Sequence, residues 1–113
     1  MARVPDRGDI VLIDLEPTRG AEQRGTRPVF VVSPRQFNRR GLIIALPVTK
    51  GLGLSRSEGF MATLMGSGGR TQGSVACDQP RTLDYRARNA RLVESVPEFV
   101  TRDVLARLAP LVT

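Results

Sequence analysis

Residues 17–28, PTRGAEQRGTRP, combine charged side chains with turn-forming residues and offer almost nothing to a hydrophobic core. Glu22 and Arg27 are separated only by QRGT, so a turn at Gly25 can bring the carboxylate and the guanidinium together. Connections between strands usually have about 4–6 residues, and longer ones tend to be functional or disordered. The pair therefore indicates either a charged reaction site or an exposed salt bridge, which contributes about 0–1 kcal/mol.

Two further segments place polar side chains where an apolar run ends. In PVTKGLGLSRSEG (47–59), Thr49 lies between a strand-like run and a glycine-rich stretch. The alternative to a site residue is a Thr that simply ends a strand. In CDQPRTLD (77–84), Asp78 and its polar neighbours follow another apolar run, where a simple turn is the alternative. The glycines of the first segment do not form a dinucleotide-binding fingerprint, because no βαβ pattern surrounds them.

Missing residue types narrow the chemistry that this chain can perform. The sequence has no histidine and a single cysteine, Cys77, which excludes Ser-His-Asp triads, ordinary zinc sites and internal disulfides. Catalysis must then use carboxylates, arginine, hydroxyls or the backbone. Cys77 lies in the strand-like run GSVACDQ, so we expect a small buried residue without an activating base.

The charge balance points to a polyanionic partner. The formal net charge is +6, and Lys50 is the only lysine among 17 basic residues. Arginine presents a planar fork that binds phosphates and stacks on bases, which makes a basic domain of this kind a candidate polyanion binder. A GC-rich genome explains part of the arginine preference but not the net charge. The single cysteine and the lack of a signal-peptide pattern or membrane-length apolar run predict a cytoplasmic protein.

Short apolar runs separated by Gly, Pro and polar clusters predict a mainly β fold. The predicted strands are DIVLIDL (9–15), PVFVVS (28–33), LIIALPV (42–48), GFMATL (59–64), GSVAC (73–77) and ARLVES (90–95). The third run is apolar throughout, so we expect it to be central and covered on both faces, with Pro47 at its end. SPRQFNRR can hold one helical turn. With 113 residues, the chain is expected to form one domain (1–113), a small antiparallel barrel or sandwich.

The C-terminal segment predicts an amphipathic helix. SVPE at 95–98 has the form of a capping box, with Ser95 as the N-cap and Glu98 three residues later. Pro110 is expected to end the helix. Such a helix after a series of strands should cover an open side of the β structure. The apolar stripe consists of Val100, Val104, Leu105, Leu108 and Leu111.

Taken together and in this order, these segments resemble the MazF/PemK (Kid) family of toxins from bacterial type II toxin–antitoxin systems. The resemblance rests on RGDIVLIDLEPTRGAEQRGTRPVFVVSP, LPVTKG, GFMATL, GSVACDQPRTLDYRAR and the terminal helix, and it runs nearly from end to end. PTxGxEQxGxRP is typical of the family, and DQPRTLD of its PemK/Kid branch. The resemblance implies an SH3-like antiparallel barrel with a C-terminal helix, a homodimer, and sequence-specific, metal-independent cleavage of single-stranded RNA, mainly mRNA, without a cofactor.

The resemblance also implies roles for individual residues. In this family the ribose 2′-OH attacks the adjacent phosphate and leaves a 2′,3′-cyclic phosphate and a 5′-OH end. Glu22 is then the expected general base, Arg27 the group that stabilises the charged phosphorane, and Thr49 a hydrogen-bond donor to a phosphate oxygen.

The chain departs from the Kid branch at two positions. Ala21 stands where that branch has histidine, and Ala76 stands where it has arginine. Asp78 corresponds to a carboxylate with a proton-transfer role in that branch, but it lacks these two companions here. We therefore assign catalysis to the MazF-like set described above and keep Asp78 as a secondary candidate.

RNA binding is expected from the same segments. Phe60 is the aromatic residue best placed to face a groove, and arginine guanidinium planes can also stack on bases. A cognate antitoxin with an acidic, flexible segment is the partner expected to bind this RNA groove. The candidate RNA-binding residues are Gln23, Arg24, Lys50, Arg56, Phe60, Gln79, Arg81 and Arg86, with Arg88 as a further stacking candidate.

Two other functions stay open at this point. Toxins that poison DNA gyrase share this fold, and a basic RNA-binding barrel without catalysis would have a similar composition. The EQxGxRP and PVT motifs match the nuclease branch, and the chain has no Trp in its C-terminal tail.

Overall fold

The computed structural model describes residues 3–15, 25–50 and 59–113, and these contain seven strands and two helices. The helices are α1 (Arg35–Asn38) and α2 (Glu98–Val112). No helix in these three ranges combines the length and the hydropathy that a membrane span requires. The strands are β1 (Asp9–Asp14), β2 (Thr26–Val31), β3 (Leu42–Thr49), β4 (Met61–Thr63), β5 (Ser74–Ala76), β6 (Arg81–Asp84) and β7 (Arg91–Ser95).

All strand pairs are antiparallel, and β3 is the central strand of the sheet. Residues 45–47 of β3 pair with β2, while its other edge pairs with β6 over 42–45 and with β5 over 48–49. The full order is β4-β5-β3-β2-β1-β7, with β6 beside β3. The mainly β fold with a C-terminal helix is therefore confirmed.

The sheet is open, so the barrel predicted from the sequence describes it only loosely. The strands β4 and β7 end the order without pairing with each other. A carboxylate joins the two ends instead: Glu94 on β7 accepts hydrogen bonds from the backbone amides of Arg70 and Thr71 and from the Thr71 hydroxyl. Arg70 and Thr71 lie in the connection between β4 and β5. Their hydrogen bonds to Glu94 therefore link the two ends of the sheet, which strand pairing would link in a closed barrel.

Alternating side chains of the central strands pack into two cores, one on each face of the sheet. Phe30 and Leu46 are fully buried in the core that α2 covers with Val100 and Val104. The opposite core includes Val29, Ala45 and the largely buried ring of Tyr85 on its far side. Burial of each large apolar side chain stabilises the fold by about 1.5–3 kcal/mol. The prediction that the third apolar run is central and covered on both faces is confirmed.

The predicted capping box at the start of α2 is wrong. Pro97 occupies the N-cap position, and no side chain caps the helix there. The Ser95 hydroxyl donates instead to the Asp9 carboxylate at 2.7 Å, because β7 places Ser95 opposite Asp9 in the sheet. Pro110 does not end the helix, which continues to Val112, since proline in the last turn removes few helical hydrogen bonds.

Other boundaries also differ from the sequence prediction. The strand β2 spans 26–31 rather than 28–33, and β3 continues two residues beyond Pro47, which pairs with Val29. The sequence predicts no strand at β6, because this segment is mostly polar and exposed, with Leu83 as the only buried residue of the strand. The helical turn is confirmed as α1. In α2 the apolar stripe packs inward except for Leu111, which is exposed.

Candidate active site

Arg27 and Thr49 line one cleft of about 600 Å³ near the start of β2 and the end of β3. The β2–β3 register pairs Val29 with Pro47, and Arg27 and Thr49 each lie two residues beyond that pair. Lys50 and Leu15 line the same cleft. Strand pairing thus brings together two predicted catalytic residues that are far apart in sequence.

A second cavity of about 280 Å³ adjoins the first and shares Leu15 and Pro47 with it. Its polar rim comes from Gln79 and Arg81, and Arg81 reaches this place because β6 pairs it with Ala45 of β3. Its floor is apolar and consists of Leu15, Val29, Ala45, Pro47, Pro80 and Leu83. We call the two cavities together the groove. An apolar floor with a basic rim suits nucleobases above and phosphates along the edge.

Four predicted site residues, Glu22, Gln23, Arg24 and Arg56, lie outside the described residues. The segments that carry them nevertheless join the described chain at the groove. Leu15 precedes 16–24 and Lys50 precedes 51–58, and both residues line the cleft that contains Arg27.

Thr49 is held in place by the strand on its other side. It is half-buried at the end of β3 and pairs with Ser74 of β5. Gly73 precedes Ser74 with φ +110°, and a Cβ atom at Gly73 would overlap the carbonyl group of Thr49. Only glycine combines this backbone conformation with so close an approach.

Among the described residues, three other predicted site residues line neither cavity of the groove. Asp78 is partly buried, two residues beyond the end of β5. Phe60 is partly buried, and its carbonyl accepts a hydrogen bond from the amide of Cys77 at 2.9 Å. The guanidinium of Arg86 lies over the ring of Tyr85, 5.4 Å from its centroid, on the exposed β6–β7 turn.

Cys77 is fully buried, and this burial raises the pKa of its thiol to about 11. The thiol is therefore protonated at neutral pH and is not a nucleophile. Within the described ranges, no three His, Cys, Asp or Glu side chains cluster closely enough to hold a metal ion.

Leu15, Pro47 and Gly73 belong to the site, although no sequence pattern indicates a role for them. Leu15 and Pro47 form the floor shared by the two cavities, and both resemble ordinary strand residues in the sequence. Gly73 was predicted only as the first residue of the strand 73–77, a position that indicates no role in a site.

Comparisons with known proteins agree with this fold. Residues 6–112 match the family described as PemK-like, MazF-like toxin of type II toxin–antitoxin system. Endoribonuclease PemK of Escherichia coli is 49% identical over 109 residues, covering 96% of this chain and 82% of PemK. Endoribonuclease toxin ChpB of Escherichia coli K12 is 36% identical, covering 95% of this chain and 93% of ChpB.

A solved structure of MazE-MazF from Deinococcus radiodurans superimposes with a TM-score of 0.83 at 36% identity and covers 96% of each chain. The family match spans nearly the whole sequence, and the similarity to the curated endoribonucleases spans it as well. The chain belongs to the family of PemK-like and MazF-like toxins of type II toxin–antitoxin systems.

Proposed function

We propose that this chain is an endoribonuclease toxin that cleaves single-stranded RNA, mainly mRNA, at specific sequences and without a metal ion. The observation that carries the proposal is the groove, where Arg27 and Thr49 line one cleft beside an apolar floor. The relatives named as endoribonucleases support the same class of reaction. The whole chain, 1–113, acts as one domain in this proposal.

The ribose 2′-OH is the nucleophile in the proposed reaction. It attacks the adjacent phosphorus, forms a 2′,3′-cyclic phosphate and breaks the bond to the 5′-oxygen of the next nucleotide, which takes up a proton from water and leaves as a 5′-OH. Arg27 is exposed at the start of β2, where its guanidinium can donate two parallel hydrogen bonds to the phosphorane. Thr49 donates one neutral hydrogen bond to a phosphate oxygen. Glu22 accepts the proton of the 2′-OH, and Asp78 is the secondary candidate for proton transfer.

RNA binding in this proposal follows the length of the groove. Lys50 at one cavity and Arg81 at the other neutralise phosphates, while the Gln79 amide contacts base edges. The shared floor of Leu15 and Pro47 supports a base between them. The proposal also assigns RNA contacts to Gln23, Arg24, Arg56, Phe60 and Arg86.

The partners in this proposal are a second copy of the chain and a cognate antitoxin, in the cytoplasm. The MazE-MazF structure, whose matched chain is 36% identical, supports the antitoxin. An acidic, flexible antitoxin segment suits this chain because the net charge is +6 and the groove carries Arg27, Lys50 and Arg81 along its length.

The test uses purified protein and a long RNA in the presence of EDTA. We expect discrete fragments that end in 2′,3′-cyclic phosphate and 5′-OH groups. A matched substrate with one deoxyribose at the scissile position should resist cleavage, because the nucleophile is missing. Cleavage of that substrate, or strict dependence on added Mg²⁺, contradicts the mechanism. RNA binding without fragments identifies a binding protein, and inhibition of gyrase without fragments identifies the gyrase-poisoning class.

A further inference from the structure

Arg88 holds the point at which the chain leaves β1. Its Nη1 donates hydrogen bonds to the carbonyl oxygens of Asp14 at 2.9 Å and of Leu15 at 2.8 Å. Asp14 is the last residue of β1 and pairs with Thr26, so Leu15 lies beyond the strand and beyond the ladder of β1 and β2. A side chain 73 residues away in sequence therefore supplies the donor for this carbonyl.

The turn that carries Arg88 is itself fixed on β1. The Arg88 carbonyl accepts a hydrogen bond from the Asp14 amide at 3.1 Å, and the side-chain amide of Asn89 donates to the Asp14 carboxylate at 3.3 Å. Asn89 has φ +56°, a left-handed conformation that asparagine tolerates well. The amide of Ala90 closes the turn on the carbonyl of Tyr85, whose hydroxyl donates to Asn38 inside the protein.

We call the two hydrogen bonds from Arg88 to the carbonyls of Asp14 and Leu15 the anchor. Leu15 connects this anchor to the groove. It is the residue after β1 that lines both cavities, and it directly precedes the segment 16–24, which includes Glu22. A displacement of its backbone would alter the floor between Arg27 and Arg81. Small displacements of this kind reduce the rate of reaction strongly, because catalysis requires the reacting groups within a narrow range of positions.

We propose that Arg88 is a positioning residue that fixes Leu15 in the floor of the groove, rather than a residue that contacts RNA. The measurement of RNA cleavage that tests this role rests on the proposed function. The Nη1 donor is occupied by two carbonyls, which supports an internal role for a side chain that the sequence alone suggested as a base-stacking group.

The experiment compares Arg88→Met, Arg88→Lys and the control Arg91→Met. Arg88→Met removes the donors and the charge while keeping an unbranched stem close to the length of the arginine alkyl chain, and Arg88→Lys keeps the charge. Arg91 is exposed on the neighbouring strand β7, so Arg91→Met removes the same charge without the anchor. We expect Arg88→Met to lower kcat/KM by between about 10-fold and 10²-fold. Arg88→Lys should recover part of this loss, and Arg91→Met should cleave RNA like the wild type.

Salt dependence separates positioning from direct contact. The affinity for an RNA with a deoxyribose at the scissile position is measured from low to high salt for each variant. A lost phosphate contact would reduce the slope of log affinity against log salt by about 0.7 for a single strand. We expect the slopes of Arg88→Met and Arg91→Met to be equal. A slope reduced only in Arg88→Met would overturn the proposal in favour of direct RNA contact.

A double-mutant cycle and an RNA-free measurement complete the test. Because Arg88 acts through Leu15, Arg88→Met in a Leu15→Ala background should lower kcat/KM much less than in the wild type. The backbone amide chemical shifts of Leu15 and Gly25, measured without RNA, should change in Arg88→Met and Arg88→Lys but not in Arg91→Met. If the wild type does not cleave RNA, the proposed function fails while these shifts still test the anchor. Unchanged amide shifts in Arg88→Met would contradict the positioning role of Arg88 but not the proposed function. Additive effects of Arg88→Met and Leu15→Ala on kcat/KM in an active enzyme would do the same.

Discussion

Gly73 lies so close to Thr49 that a Cβ atom on Gly73 would overlap the Thr49 carbonyl oxygen. The backbone of Gly73 also has φ +110°, and its carbonyl accepts a hydrogen bond from the amide of Leu64 at 3.0 Å. The beginning of β5 and the end of β3 can therefore run side by side only with glycine at this position. The contact between Gly73 and the Thr49 backbone therefore fixes the position of Thr49 in the groove.

The first prediction compares Gly73→Ala with Gly66→Ala. Both glycines have positive φ, but a Cβ atom at Gly66 would meet nothing within 4 Å. We expect Gly66→Ala to lower the free energy of unfolding by about 1–2 kcal/mol, the cost of the left-handed backbone alone, and to cleave RNA normally. Gly73→Ala should lose more stability, and its kcat should fall because the end of β3 must move. Urea unfolding and RNA cleavage on the folded variants measure both effects, and equal losses would contradict the steric role of Gly73.

The second prediction concerns Arg27 and Thr49. Arg27→Ala should lower kcat by roughly 10²–10³-fold if the guanidinium stabilises the phosphorane. Thr49→Ala should lose less, because it removes only one neutral hydrogen bond. Arg27→Lys serves as the control that keeps the charge without the paired donors, and its kcat should lie between those of the wild type and Arg27→Ala. Single-turnover cleavage with circular dichroism as a check of folding provides the measurement. Wild-type turnover in a folded Arg27→Ala protein would leave Arg27 with the salt-bridge role alone.

The convergence of Arg27 and Thr49 shows what the sequence could and could not predict. The apolar runs predicted β1, β3 and the two-sided burial of β3, because core strands carry a strong hydrophobic signal. No spacing rule indicates that residues 22 positions apart line one cleft. That expectation came from the family resemblance, and the antiparallel register of β2 and β3 provides its physical basis.

The wrong predictions have local physical reasons. Ser95 fits a capping box in sequence, but the buried Asp9 carboxylate on the neighbouring strand takes its hydroxyl as a donor. The strand β6 was missed because only Leu83 of its four residues is buried, so the alternation that identifies a strand is too short. In both cases a tertiary contact outweighs a local sequence pattern.

The third prediction concerns Glu94, which joins β7 to the connection between β4 and β5. Partial burial alone would raise the pKa of Glu94, but hydrogen bonds from the Thr71 hydroxyl and from the amides of Arg70 and Thr71 lower the pKa below its ordinary value of 4.5. A carboxylate with a depressed pKa in the folded state stabilises the protein above its unfolded pKa. This stabilisation is lost as the pH falls through the folded pKa.

Glu94→Gln should therefore lower the free energy of unfolding by about 1–3 kcal/mol at pH 7. The difference from the wild type should begin to shrink below pH 4.5, where the unfolded wild-type chain binds a proton at Glu94, and should disappear once the pH is below the folded pKa. Glu98→Gln is the matched control, since Glu98 forms only an exposed ion pair with Arg102 on α2. Urea unfolding curves at several pH values measure the three proteins. A Glu94→Gln deficit that stays constant down to pH 3 would contradict a role of the carboxylate charge.

The fourth prediction concerns how a cognate antitoxin blocks the groove. A segment rich in Asp and Glu would place carboxylates where RNA places phosphates, along Arg27, Lys50 and Arg81. Such a segment orders on binding, which costs free energy, so apolar side chains must also enter the floor at Leu15 and Pro47. Raising the salt concentration should then slow association strongly and change dissociation less.

Competition between RNA and antitoxin tests this placement directly. A single-stranded RNA with a deoxyribose at the scissile position is titrated against the free toxin and against the toxin–antitoxin complex. The free toxin should bind this RNA, and the complex should bind it only as the antitoxin dissociates. Lys50→Gln should weaken the binding of both RNA and antitoxin. Arg102→Gln, on the exposed face of α2, should weaken the binding of neither. If the complex binds the RNA as tightly as the free toxin does, the antitoxin acts outside the groove.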